Sequence, residues 1–424
     1  MRQKIKQALR WSERYTRTDM VYLARGGFWV GLGQGIASLS GLILAVALAN
    51  LLSPETFGTY KFVLALSAII ALPTLGGLNT ALIRAIAQGY EGTTRATLHR
   101  KTLWGAVACL FGLSIAVYYF LTGNPTLAGA ALIAAAFIPF MEIGGLWDAV
   151  LAGKKEFHRA AAYNAWLYGG VTLALCLTAY INGNLLLVLL AYFGSWTLGR
   201  LVALTLVTRA YPDAKHGVSR EALTLGGHLS VLGILSTTAV HIDQLLLFHL
   251  LGPVTLAHYA LALAPIGHLT GFVQILKPLI IAKVPSTTQA MTRAAYLRKL
   301  LLLLAALCAL ALGYTLAAPA LFAVLFPQYA DAVFYTQILS VGLVGSAATF
   351  NTSIFIAHNA QRRLSAYFII TGVVQVLCTA LGVYIFGLIG AVLAFVATKL
   401  FAALLSTAQA LSLLATATEK QNGD

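Results

Sequence analysis

The sequence predicts an all-α integral membrane protein: twelve transmembrane helices in two six-helix bundles related by a pseudo-two-fold axis along the membrane normal. Three observations carry that expectation. They are an apolar composition, a one-sided placement of basic residues, and a hairpin sequence that occurs twice.

Residues are 59% hydrophobic and only 10% charged, where a soluble domain has about a quarter of its residues charged. A soluble fold of this length cannot hide so much apolar surface, whereas a bilayer can, provided the backbone satisfies its own hydrogen bonds as helix or closed barrel. The apolar runs are roughly 20 residues or longer, the length of a helix crossing a hydrocarbon core of about 30 Å, and not the ~10-residue alternation of barrel strands. Twelve such runs are expected, near 26–52, 58–83, 102–121, 126–151, 159–181, 185–208, 226–251, 254–281, 297–318, 332–357, 365–386 and 388–414.

Basic residues orient these runs. With a cytoplasmic amino terminus, the inside segments carry Arg2 to Arg25, Arg95, Arg100, Lys101, Lys154, Lys155, Arg159, Arg209, Lys215, Arg220, Lys283, Arg293, Arg298, Lys299, Arg362, Arg363 and Lys420. The outside turns carry none apart from Lys61, as the positive-inside rule requires, so both termini are expected in the cytoplasm. The net charge of +15 is accounted for by this orientation signal and by attraction to anionic inner-leaflet lipid; nucleic acid is not an expected partner. Cys109, Cys176, Cys308 and Cys378 all fall within spans without paired spacing and read as small core residues.

The stretch LLSPETFGTYKFVLAL, Leu51 to Leu66, returns as LLGPVTLAHYALALAP, Leu250 to Pro265, 199 residues on. Each copy ends one run, turns, and starts the next. An even number of spans separates them, so the copies share an orientation and the repeat is parallel, a plan found in alternating-access transporters. The expected organisation is a basic interfacial helix over residues 1–24, an amino-terminal lobe over 25–210 with spans one to six, and a carboxy-terminal lobe over 211–424 with spans seven to twelve and a short cytoplasmic tail. The first stretch, with Ile5, Leu9 and Trp11 at loose helical spacing and no cleavage site before the first run, reads as a helix on the inner leaflet rather than a signal peptide.

Ionisable residues inside spans are costly and must face a cavity, a partner or an end of the bilayer. They are Lys61, Arg84, Glu142, Asp148, Arg200, Asp243, Lys277 and Lys399. At about 1.5 Å per residue, Asp243 lies roughly 12 Å and Lys399 roughly 16 Å from the outside ends of their spans. Arg200 and Glu142 lie beyond the midplane, Arg84, Asp148 and Lys277 near the cytoplasmic ends, and Lys61 at the outer edge. Lys399 cannot easily snorkel to an interface, so it lines an internal cavity or pairs with a carboxylate such as Asp243. Arg84, Arg200, Lys399, Lys61 and Lys277 are the expected substrate-binding cations, since five cations against three acids favour an anionic head group. Asp243 and Glu142 are the acids expected to couple transport to an ion or proton.

Other constellations exclude chemistry. His228, His241, His249, His258 and His268 concentrate in spans seven and eight without chelating spacing. Glu142 and Asp148, six apart on one helix, diverge by about 120° and form no acid and base dyad. Gly31, Gly33 and Gly35 follow no strand and make no phosphate loop. Pro73, Pro139 and Pro265 permit kinks. No nucleophile stands with a base, no zinc spacing occurs, and no catalytic activity or cofactor is expected.

The two hairpin tips carry a family resemblance. The segment from Ala49 to Ala87, ANLLSPETFGTYKFVLALSAIIALPTLGGLNTALIRAIA, resembles the first-hairpin pattern of the polysaccharide transporter family, the Wzx-type lipid-linked oligosaccharide flippases of the MOP superfamily. The segment from His241 to Pro265 is similar to that family's seventh-span pattern, an Asp followed by an apolar helix, a turn and a Tyr. The resemblance implies export of an undecaprenyl-pyrophosphate-linked oligosaccharide repeat unit, a precursor of O-antigen, capsule or exopolysaccharide, from the inner to the outer leaflet of the cytoplasmic (inner) membrane. It further implies a cationic lumen, Asp243 as the coupling acid, H+ or Na+ as coupling ion, membrane lipids around the chain, and polysaccharide polymerase and chain-length proteins as partners. Gln244 departs from the pattern where a basic residue often follows the Asp. Two alternatives stay open: a proton- or sodium-coupled multidrug (MATE-like) antiporter, which would want an acid-dominated cavity, and a membrane-embedded glycan polymerase or ligase, which would want a large outside loop.

Overall fold

The structure is a computed structural model that describes residues 20–212, 217–275, 293–357 and 360–422. Fourteen α-helices run through them: α1 Met20–Leu51, α2 Pro54–Ile70, α3 Gly77–Ala87, α4 Thr93–Leu121, α5 Pro125–Gly144, α6 Leu146–Gly153, α7 Phe157–Ile181, α8 Leu185–Ala210, α9 Arg220–Leu251, α10 Pro253–Ile275, α11 Arg293–Leu325, α12 Ala332–Ser340, α13 Ala348–Ala357 and α14 Gln361–Asn422. Several start as the sequence dictates. Ser53, Asn124, Asn184 and Ser219 each cap a helix by accepting an N–H of the first turn, and proline occupies the first turn of α2 and α5, where its missing N–H costs nothing.

Among the described residues nine helices are long and apolar enough to cross a membrane, or ten if the bent pair α2 and α3 forms one span. One of the nine, Arg362–Leu413, covers both of the last two expected runs, which join at Gly387 with φ 60° and ψ −133°. Helix α10 stands where the eighth run is expected. Each of the twelve expected runs is thus helical over most of its described residues.

Three runs expected to be continuous are broken. The second is interrupted after Ile70 by a 3-10 turn, Leu72–Thr74, and by Leu75 at φ 58°, so that α2 and α3 meet at 41°. Pro73 in that turn cannot donate to the helix ladder, and two glycines follow it. The fourth breaks at Gly145 between α5 and α6. The tenth passes through a 3-10 stretch, Val341–Ala347, between α12 and α13.

The chain forms two compact units. One is Ile36–Ala260; the other joins residues up to Gly35 with those from Leu261 on. The borders fall inside α1 and α10, so this division differs from the lobe boundary expected after residue 210. Helix α9, the seventh expected span, packs on α2 and α3.

In the first unit, glycines let α9 and the hairpin after it approach closely. A methyl on Gly58 would fall 1.8 Å from the Pro253 carbonyl oxygen, so the two copies of the repeated hairpin tip touch backbone to backbone. Further in, the Gly77 N–H donates to Ser230 Oγ at 3.1 Å, and a methyl on Gly226 would meet Leu78 at 2.5 Å. Aromatic packing fills the outer part of this seam: Phe62 stacks on Phe248 at 3.9 Å, and the Tyr119 hydroxyl meets His249 Nε2 at 3.1 Å.

The second unit pairs several of its buried polar groups. Tyr296 donates to Asn351 Oδ1 at 2.8 Å, and the Asn351 amide donates to Ser406 and Thr407, both at 3.0 Å. Thr336 donates to the Ala262 carbonyl at 2.7 Å. In hydrocarbon such groups have no water to fall back on.

Candidate functional site

The break at Gly145 creates the most polar place in the first unit. A helix ending inside a membrane leaves carbonyls without intrahelical partners, at the negative end of its dipole. Here two cations reach carbonyls of the last turn, of which that of Met141 also accepts the Gly145 N–H at 3.1 Å. Lys101 Nζ donates to the Glu142 carbonyl at 3.2 Å, and Arg200 donates to the Met141 carbonyl at 3.2 Å. Gly144 makes the second contact feasible, because a methyl there would lie 2.9 Å from Arg200 Cβ and block the approach of α8. The guanidinium of Arg200 also lies over the Trp196 ring, 4.9 Å from its centroid, a favourable cation–π position.

Glu142 stands between the two cations. Its Oε2 is 3.4 Å from Lys101 Nζ and its Oε1 is 3.9 Å from Arg200. The Lys101 side chain is fully buried, and those of Glu142 and Arg200 are 23% and 26% exposed. A buried ammonium needs such a counter-charge. Lys101 is a buried, paired cation that the sequence reading assigned only to orientation; its signal was its place about 12 Å into α4, eight residues past Thr93.

Two cavities flank Glu142. One, of about 260 Å³, is lined by Asn79, Glu142, Trp147, Asp148, Asn164, Tyr168, Trp196 and Arg200, among others. The other, of about 330 Å³, lies at the break between α2 and α3 and is lined by Thr74, Gly76, Gly77, Glu142, Ser230 and Thr237, among others. The expected divergence of Glu142 and Asp148 is therefore corrected. Although six residues apart, both border the same cavity, Glu142 from the last turn of α5 and Asp148 from the first turn of α6.

The remaining sequence-predicted residues lie elsewhere. Arg84, in the last turn of α3, is 3.7 Å from Glu221, with both side chains exposed. Lys61 is half-buried, with its ammonium 5.3 Å from the Phe57 ring centroid and 6.0 Å from that of Tyr60. Asp243 is buried at 4% exposure; its Oδ2 accepts the Tyr259 hydroxyl at 2.5 Å and its Oδ1 accepts the Gln244 N–H at 2.8 Å. This joins α9 to α10 across the second hairpin tip. In the second unit, Lys399 is half-buried beside Phe395, whose ring centroid is 5.3 Å from its ammonium. A methyl on Gly345 would be 2.6 Å from the Lys399 carbonyl oxygen, so the 3-10 stretch presses directly on this part of α14. Lys277 lies outside the described residues.

Comparison with known proteins places this architecture. The chain resembles the outward-facing form of a multidrug resistance MATE family transporter of the MOP superfamily, with a TM-score of 0.62 and 17% identity over 94% of this chain and 96% of the other. For an inward-facing form of such a transporter the values are 0.67 and 17%, over 91% and 96%. A MOP superfamily transporter from Pyrococcus furiosus, described as having a binding pocket of reversed polarity, gives 0.62 and 16% over 93% and 96%. No match was found among curated protein sequences. Fold and family match together define a multi-pass α-helical membrane transporter of the MOP superfamily. The family model described as polysaccharide biosynthesis protein matches residues 23–280, more than half of the chain, and the chain belongs to that family.

Proposed function

We propose that this transporter is a flippase that carries an undecaprenyl-pyrophosphate-linked oligosaccharide repeat unit from the inner to the outer leaflet by alternating access, coupled to H+ or Na+. The observation that carries the reading is a polar, aromatic and amide-lined cavity among membrane helices α3 and α5 to α8 in a member of the polysaccharide biosynthesis family. A sugar diphosphate cannot cross hydrocarbon unaided. It needs polar space inside the protein while its lipid tail stays in the bilayer. The proposal includes residence in the cytoplasmic membrane with both termini inside, lobes divided near residue 210, polymerase and chain-length proteins as partners, and no catalytic step.

The charges divide unevenly between roles. Arg200 and Lys101 are engaged with Glu142 and with helix carbonyls, and Arg84 with Glu221. Lys399, deep within its span, is a cation we assign to the diphosphate or an acidic sugar, with Arg84, Arg200, Lys61 and Lys277 as further candidates. Lys399→Met should leave the protein inserted and folded, yet cause lipid-linked repeat units to accumulate on the inner leaflet at least several-fold. Undiminished flipping by that variant in reconstituted vesicles would defeat the assignment.

A second reading has its own support. Asp148 and Glu142 both line an aromatic-walled cavity, and the structural neighbours include multidrug transporters. A MATE-like antiporter would take an organic cation there. Efflux of a fluorescent cationic drug from vesicles, with no effect of the same protein on lipid-linked glycan, would select it.

A further inference from the structure

The cavity beside the Gly145 break has a charge inventory that bears on what it holds. Glu142 faces two cations, Lys101 and Arg200, so the positive charge of this cluster is only partly offset within the protein. The groups left open are of another kind. Asn79 lines the cavity, but its side-chain oxygen is buried with no hydrogen-bond partner among the described residues and is closed off from a ligand there. Asp148, Asn164 and the Tyr168 hydroxyl also line the cavity and have no side-chain hydrogen bond or ion pair among the described residues.

These open groups accept hydrogen bonds or can both donate and accept. Together with Arg200, which lines the same cavity and donates, they suit a ligand whose groups both donate and accept, as sugar hydroxyls do. The walls add a second constraint. Tyr168 meets Trp196 edge to face at 5.0 Å and 89°, and Trp147 closes another side. The polarised C–H groups on one face of a pyranose pack well on such aromatic surfaces, whose faces carry partial negative charge. Size is the third. At about 260 Å³, the cavity is below the roughly 300–1,000 Å³ of sites that take drug-sized ligands, so it admits one ring and not an oligosaccharide.

We infer that this cavity is a receptor for a single neutral or amino-bearing sugar ring of the cargo, distinct from the place that holds the diphosphate. The inference rests on the flippase reading for the word cargo, but the receptor itself stands on the geometry. It makes the cavity a specificity element: the helices around the Gly145 break select which glycan is accepted.

The test is saturation-transfer NMR on the purified full-length protein in nanodiscs. The probes are free glucose, galactose, rhamnose, N-acetylglucosamine and glucosamine, with inorganic pyrophosphate and tetraethylammonium for comparison. At least one monosaccharide should bind, and Asn164→Ala and Tyr168→Phe should each weaken it five-fold or more while pyrophosphate binding is unchanged. Thermal unfolding of each variant establishes that it is folded. Binding of no monosaccharide, sugar binding untouched in all folded variants, or tetraethylammonium binding in place of sugar would overturn the inference. Lipid-linked glycan in cells is read separately. Sugar binding without any effect of the protein on that glycan would overturn the flippase reading and leave the receptor standing; flipping without sugar binding would do the reverse.

Discussion

Asp243 shows how a single acid can serve both structure and transport. It is nearly fully buried, and its two oxygens accept from Tyr259 and Gln244. A carboxylate in such surroundings is retained only while those donors stay in place. Asp243→Asn keeps the shape and removes the titratable group, whereas Tyr259→Phe keeps the acid and removes a donor, at about 1–3 kcal/mol of stability. If Asp243 couples transport, the Asn variant loses its response to an imposed ion gradient in vesicles, and the Phe variant keeps it with a lowered melting temperature. A gradient response unaltered in Asp243→Asn would confine Asp243 to fastening the hairpin. Lys101 teaches the complementary lesson about legibility. Along the chain it sits beside Arg95 and Arg100 and satisfies the orientation rule, which hides a second role. Only the break in a helix 41 residues away, by the separation of Lys101 and Glu142, shows that its ammonium caps a helix end.

At the scale of elements, length and apolarity placed nearly every long helix from sequence. What they could not place were the breaks, because a broken span and a continuous one have the same composition. Pro73 marked the interruption of the second run, but nothing comparable marks Gly145. Glu142 and Asp148, expected to diverge, border one cavity from either side of that break. Glycines are where close packing depends on the absence of a side chain. Gly58→Ala puts a methyl against the Pro253 carbonyl, 1.8 Å away in the unrelaxed backbone, and such overpacking costs about 1–3 kcal/mol. Gly387→Ala forces an alanine to φ 60° and ψ −133°, a backbone region nearly confined to glycine and costing on the order of 1–3 kcal/mol. Both variants should melt several degrees below the parent in a thermal unfolding assay. Gly313→Ala, where nothing lies within 4 Å, should melt with the parent.

For the whole molecule, the repeat was legible as an echo of hairpin tips, and the contact between Gly58 and Pro253 shows the two copies meeting. The grouping of α9 with the first unit was not legible, since it depends on which faces of α2, α3 and α9 interlock. Glu142 extends this from architecture to thermodynamics. It is a shared wall, bordering both the sugar-sized cavity and the cavity at the α2–α3 break. Binding linkage is reciprocal: if a proton on this carboxylate alters affinity for a ligand, that ligand alters affinity for the proton by the same factor. The number of protons exchanged on sugar binding, measured by calorimetry in two buffers, should therefore equal the slope of log Kd against pH, and the slope should flatten in Glu142→Gln. A slope unchanged by that substitution would assign the exchange to another group. With one carboxylate common to both spaces, a substitution at Glu142 reaches two chambers at once.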